Sequence, residues 1–352
     1  MFFRSIGVIV VILGLVGCGN DNPKHSAEQA EGSSRPLVLV EDSIEQDIQL
    51  MRYDARMLYN NRDFEALEAM ANELRSGNPV FENGSWKIYR FYTAFAPRDD
   101  ELDSMWVLHD EIHREWIDAY PESITAKLAY ADFYEDYAWN ARGGGYADTV
   151  SDDGWRLFDE RLSKASEILK SVEAHAGEDP MFYLIALRLA RSQGWNADAY
   201  LALVDEAHAA FPTFWGYDTE LAFALLPRWY GEPGDWEAFA EETANRLDGL
   251  GDEVYARIVI NQSGYYDNLF GQTNASWART CAGLDILLEK YPNSINLLST
   301  AARMAWKTGD HRKANEYFKL LNNRYLKRAW RSEEEFIQAR DWASEPDRLK
   351  LK

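Results

Sequence analysis

Two histidines stand four residues apart in His109-Asp110-Glu111-Ile112-His113, so on a helix they would share one face and could offer two imidazoles to a metal. A helical zinc protease needs Glu directly after the first His to activate water, but Asp110 occupies that place, and the reversed motif would need Glu where Ile112 stands. His109 and His113 fall on an apolar stripe, which favours packing, and no metal is assigned. Cys281, in WARTCAGLDILLEKYP, has no histidine near it in sequence and reads as a small buried residue rather than a nucleophile. Asp148, Asp152 and Asp153 offer oxygen ligands, but not at the spacing of an EF-hand. Gly143-Gly144-Gly145 follows a helical pattern instead of a strand and lacks a following Lys-Ser/Thr, so it is no phosphate cradle. No nucleophile elbow occurs, and among 58 acids a carboxylate pair carries no information. No cofactor follows from these residues.

Two loops carry a denser chemistry. Arg142, Tyr146, Asp148 and Trp155 cluster in one, and Arg228, Trp229, Tyr230, Glu232, Asp235 and Trp236 in the other. Flat aromatic faces beside charged hydrogen-bonding groups suit a sugar ring, a peptide, or a cation over an aromatic ring. The same residues also serve as scaffolding. Gly143 to Gly145 permit a tight turn, Ser151 or Asp152 caps a helix beginning near Gly154, Asp235 caps one beginning at Trp236, and the arginines pair with acids of their own loops. Both readings stand at this level.

The elements that must position these loops are helices. From Asp99 to Tyr120, Leu102, Met105, Trp106, His109, Ile112, His113 and Trp116 recur at helical spacing, with charge on the opposite face. Alternating β-branched runs closed by Asn-Gly are almost absent, so an all-α fold is expected. An aromatic-Pro pair ends three helices, at Tyr120-Pro121, Phe211-Pro212 and Tyr291-Pro292, because Pro stops one helix and opens the next. After the third comes INLLSTAARMAWKTGDHRKANEYFKLL, two short helices joined at Thr308-Gly309-Asp310, which resembles a tetratricopeptide unit with Ala314 and Phe318 at its small and aromatic packing positions. Weaker echoes lie at 61–74, 193–207 and 233–247, unevenly spaced. The expected architecture is an irregular α-solenoid of tetratricopeptide-like helix pairs, its concave side lined by the first helix of each pair.

Composition narrows the partners. The chain has 352 residues, 37 Lys+Arg and 58 Asp+Glu, a formal charge of −21. Such a surface repels phosphate, which disfavours nucleic acid as a partner. Hydrophobic residues at 46%, with 13 Trp, supply a large core.

The N-terminus reads as an address. Arg4 precedes the eleven-residue apolar run Ile6–Val16, too short to span a bilayer, and Leu15-Val16-Gly17-Cys18 follows. This segment resembles the signal peptide and lipobox of bacterial lipoproteins. The resemblance implies cleavage after residue 17, a lipid such as palmitate on Cys18 as membrane anchor, and, with Gly19 rather than Asp next, an outer-membrane location facing the periplasm. The expected organisation is a signal peptide at 1–17, a lipidated polar tether at 18–36, a helical-repeat domain at 37–345 and a polar tail at 346–352.

The blocks AWNARGGGYADTVSDDGWRLFDERL (138–162) and LLPRWYGEPGDWEAFA (225–240) resemble a bacterial domain of unknown function with a tetratricopeptide-like fold. The resemblance implies the fold and no activity. The functional expectation is a non-catalytic envelope lipoprotein that binds a protein or peptide partner. The alternative is a binder of, or enzyme acting on, a carbohydrate or other small molecule through the aromatic-acidic loops.

Overall fold

The computed structural model describes residues 36–77, 79–97, 102–247 and 249–345. The apolar run, Cys18, and the 346–352 tail lie outside the described residues. A compact unit begins at Leu37. After β1 (Val38–Leu39), α1 (Ser43–Asn60) packs on α2 (Phe64–Ser76) and on the short α3 (Lys87–Tyr92). α4 (Asp103–Ala119) packs on α5 (Ile124–Arg142), which lies along α6 (Asp152–Lys170). α7 (Met181–Ser192) pairs with α8 (Ala197–Ala210), and α9 (Gly216–Ala224) with α10 (Asp235–Ala244). α11 (Asp252–Gln262), the single-turn α12 (Leu269–Gln272) and α13 (Trp277–Lys290) follow, with α11 against α13. α14 (Ile295–Thr308) pairs with α15 (His311–Leu321), then come β2 (Arg324–Tyr325) and α16 (Glu333–Ser344). The fold is all-α, an irregular α-solenoid of sequential helix pairs. Among the described residues no helix is long and apolar enough to cross a membrane.

The three aromatic-Pro junctions are built alike, which shows why the pairing repeats. At each, the aromatic amide donates four residues back into the ending helix, as Tyr120 to Trp116, Phe211 to Ala207 and Tyr291 to Leu287. A residue three further on then closes the turn, as Ser123, Phe214 and Ser294 donate to the carbonyls of Tyr120, Phe211 and Tyr291. In two of them the serine hydroxyl, of Ser123 or Ser294, caps the next helix by accepting from the amide of Ala126 or Leu297. The tetratricopeptide-like unit has the expected form: Gly309 takes the left-handed conformation at the end of α14, Asp310 caps α15, and Ala314 and Phe318 are buried. Pairs approach closely where side chains are small. A Cβ at Gly283 of α13 would stand 1.9 Å from the Asp252 carbonyl at the start of α11, so only glycine permits that contact.

The stripe on α4 buries Trp106, His109, Ile112, His113 and Trp116. Leu102 and Met105 depart from the expected core: Leu102 is the N-cap residue, 74% exposed, and Met105 in the first turn is also exposed. Asp99 to Glu101 lie outside the described residues. One strand feature escaped the periodicity reading, since β1 pairs in parallel with β2 and so joins the first and last parts of the body. Arg328 reinforces that junction by pairing with Asp42, the α1 cap, and with Glu45 at 2.9 Å.

His109 and His113 are structural. The His109 ring contacts Arg56 Nη2 and Tyr59 Oη, each at 3.1 Å, while His113 lies among the rings of Tyr59, Tyr130 and Phe133. Burial, and then the Arg56 charge, lowers His109 to about 4; burial also holds His113 far below the ordinary histidine range. As pH falls below about 6.5 the unfolded chain takes the proton that folded His109 refuses. The stability from neutral His109 is therefore complete above that pH and is lost on the way down to about 4. Urea unfolding should show wild type losing about 3 kcal/mol more than His109→Gln between pH 7 and pH 4.

Candidate functional site

Five helices that lead their pairs or pack beside them, α3, α5, α7, α9 and α11, together enclose a cavity of about 540 Å³. Its walls combine aromatic faces (Trp86, Tyr89, Phe214, Trp215, Phe223 and Tyr265) with Arg90, Asp132, Asp136, Arg188 and Glu220. Of the helices that lead a pair, α7, α9 and α11 line it, while α5 and the short α3 supply the other walls. The loop before α3 reaches across to hold one edge: the Trp215 indole donates to the Gly84 carbonyl at 3.1 Å, and Asn293 Nδ2 to Glu82 at 3.1 Å. A side chain at Gly84 would collide with Arg257 and Tyr291, and its positive φ suits glycine.

The charged wall begins in the sequence of α5. Asp132, Glu135 and Asp136 fall at i, i+3 and i+4, on one face of a helix whose other positions are mostly apolar or aromatic. Three like charges so placed repel one another, and Arg188 of α7 enters between them. Its Nη1 donates to Asp132 at 2.7 Å, and its Nη2 to Glu135 at 2.6 Å and to Asp136 at 3.0 Å. The other oxygen of Glu135 accepts from the Trp139 indole at 2.8 Å and the Ser192 hydroxyl at 3.3 Å. One guanidinium thus serves three carboxylates, of which Asp132 and Asp136 face the cavity. Burial, augmented by the neighbouring carboxylates, raises both above the ordinary carboxylate range against the pull of Arg188. Glu220 is matched separately by Arg191 at 2.7 Å. On the α3 wall two donors, Arg90 Nε and Trp86 Nε1, are buried without a hydrogen-bond partner among the described residues.

The two aromatic-acidic loops meet beside this cavity without forming one binding constellation. Arg142 lies over Trp139 and Trp155 at 5.1 and 5.2 Å, and Trp139 meets Trp229 edge-on at 5.6 Å. Arg191 covers both Trp229 and Phe223 at 5.0 Å, and Arg228 covers Phe223 and Tyr265 at 4.9 and 4.7 Å. The result is a ladder of alternating rings and guanidinium groups that ends on two cavity-lining rings. Tyr230 donates to the Arg191 carbonyl. Trp236 is buried, with its indole on the Tyr266 hydroxyl at 3.1 Å. Tyr146, 85% exposed, and the exposed Asp148 stand apart from the ladder at the tip of their loop.

The caps differ in detail from expectation. Ser151 caps α6, accepting from Gly154 at 3.1 Å, but Asp235 is the first residue of α10 and its carboxylate accepts from the Glu232 amide at 2.7 Å. Gly234, with φ of 104°, occupies the cap position that sequence reading gave to Asp235. Arg142 and Arg228 stack on rings, and Arg142 donates to the carbonyls of Gly143 and Gly145, where ion pairs with loop acids were expected. Trp229→Ala should therefore cost about 2–4 kcal/mol in urea unfolding, whereas Asp148→Ala should stay within about 0.5 kcal/mol of wild type.

Sequence reading missed Asp132, Asp136, Arg188, Trp86 and Arg90. A usable signal existed in ADFYEDYAW, where three acids interrupt a helix otherwise built for burial. Cys281 is buried, its sulfur 3.6 Å from the Tyr317 hydroxyl, and burial pushes the thiol up, away from nucleophilic use. No family model matches this chain, and no curated protein or solved structure matches it either.

Proposed function

We propose that this chain is a non-catalytic binding module whose helical-repeat body takes a peptide segment of a partner protein into the cavity enclosed by α3, α5, α7, α9 and α11. The supporting observation is the cavity itself. At about 540 Å³ it has the size of a ligand site, and its walls mix aromatic faces with a few convergent polar groups. The lipobox-like segment supports an envelope location, with Cys18 as the lipid-bearing residue and the partner an envelope protein or peptide. The resemblance of the 138–162 and 225–240 blocks to a bacterial domain of unknown function belongs to the same proposal. Aromatic walls beside carboxylate acceptors also favour a second reading, a carbohydrate or other small molecule in the same cavity.

A displayed peptide library panned on the full chain tests the first reading against Thr219→Trp, which places an indole inside the cavity. Sequences retained by wild type and lost by the variant support it. A library that enriches nothing over the variant overturns it, and a sugar array then tests the second reading. Lipid attachment is tested separately by labelling cells with radioactive palmitate, where incorporation into wild type and none into Cys18→Ala is expected.

A further inference from the structure

We propose that the α5 wall of this cavity receives a positively charged group, the guanidinium or ammonium of an arginine or lysine side chain carried by the bound peptide. The proposal rests on the peptide-binding reading and specifies its ligand. Its basis is the imbalance around Arg188. Asp132, Glu135 and Asp136 share that single guanidinium; Glu135 is satisfied from behind by Trp139 and Ser192, but Asp132 and Asp136 open onto the cavity. A buried carboxylate whose counter-charge is shared three ways is stabilised by a second cation far more than one on the surface, because the field is poorly screened there. A neutral or anionic group at the same place would leave that excess uncompensated or add to it.

The remaining walls fit the rest of such a ligand. Trp86, Phe214, Trp215 and Tyr265 provide apolar faces for the methylene stem of a long basic side chain. The α5 carboxylates Asp132 and Asp136 thus mark the side of the cavity toward which a peptide would insert its basic side chain.

Without ligand a proton partly takes the place of the cation, since burial raises Asp136 far above the usual carboxylate range. Binding a cation should displace that proton. Affinity for a basic peptide should accordingly rise with pH from about 6 to 9.

The test uses the full chain and two probes, acetyl-Phe-Arg-Phe amide and the same peptide with citrulline, which keeps the shape of arginine but lacks its charge and has a carbonyl acceptor in place of one terminal NH2 donor. Titration calorimetry in two buffers of different ionisation enthalpy is expected to show the arginine peptide binding at least tenfold more tightly, with proton release. Asp136→Asn should bring the ratio of the two affinities close to one while melting above wild type, because it removes one of the three like charges that share Arg188. Equal affinities in wild type, with binding still abolished by Thr219→Trp, would overturn the cation inference and leave the peptide reading standing. No binding of either probe, together with a silent peptide library, would overturn both. An Asp136→Asn protein that melts below wild type would overturn the inference as well, since the carboxylate would then serve as a structural counter-ion of Arg188.

Discussion

Arg188→Met is expected to lose about 3–5 kcal/mol of unfolding free energy at pH 7, among the largest effects of any single substitution in the body. Methionine keeps most of the apolar volume of the arginine stem but removes the cation that, among the described residues, bonds Asp132, Glu135 and Asp136, which lie on adjacent turns of α5. Breaking a buried ion cluster from the cationic side costs more than the cluster contributes, because uncompensated charges remain in a poorly solvated place. The pH dependence identifies the cause. Carboxylates whose folded pKa is raised bind more protons folded than unfolded, so the loss should be greatest above neutrality and shrink as the pH falls toward about 4. Adding Asp132→Asn and Asp136→Asn to Arg188→Met should restore most of the stability at pH 7. A deficit that ignores pH and survives those two changes would mean that Arg188 acts through packing alone. Urea midpoints at pH 8, 6 and 4.5 decide between the two.

Trp116→Ala should cost about 3–5 kcal/mol, here through a cavity instead of a charge. The indole is fully buried at the meeting of α1, α2 and α4. It stacks on Phe64 with centroids 5.8 Å apart and planes 2° from parallel, and it meets the edges of Phe95 and Tyr59 at 5.5 and 6.4 Å. Its Nε1 donates to Glu68 at 2.9 Å, and the same oxygen accepts from Ser123, the cap of α5, at 2.5 Å. Alanine would leave three aromatic neighbours with an empty face and would weaken the link between the α2 carboxylate and the α5 cap. Trp116→Phe keeps a ring for Phe64 but loses the indole donor, so a smaller loss of about 1–2 kcal/mol is expected. Equal losses for the two variants would assign the stability to the Glu68 hydrogen bond. Urea unfolding of both at pH 7, with circular dichroism confirming helix content, makes the comparison.

Most of the helices could be read in the chain before any packing was known, because their boundaries are local. Ser123 before Ile124, Ser151 before Asp152, Ser294 before Ile295 and Asp310 before His311 each cap the helix that follows, with donors and acceptors only three residues apart. The aromatic-Pro turns and the apolar recurrence on α4 are local in the same way, and so the paired all-α architecture follows from them. Leu102 and Met105 mark the limit even here: periodicity puts them on the stripe, but burial depends on whether a neighbour reaches the helix start.

The site shows the opposite dependence. Asp132, Glu135 and Asp136 are separated from Arg188 by 56, 53 and 52 residues, and nothing local selects that arginine from 37 cations to meet those three of 58 acids. Likewise, the ladder that unites Arg142, Trp155, Trp229 and Arg228 depends on Trp139 and Arg191, residues of helices α5 and α7 rather than of the two aromatic-acidic loops. Local sequence could therefore set where each helix starts, stops and turns its apolar face, since those are short-range matters of hydrogen bonding and side-chain spacing. Which charged residues would share one cavity had to await the packing of α3, α5, α7, α9 and α11 against one another, because the angle and rotation of each helix, summed along the repeats, place groups that no short stretch of chain relates.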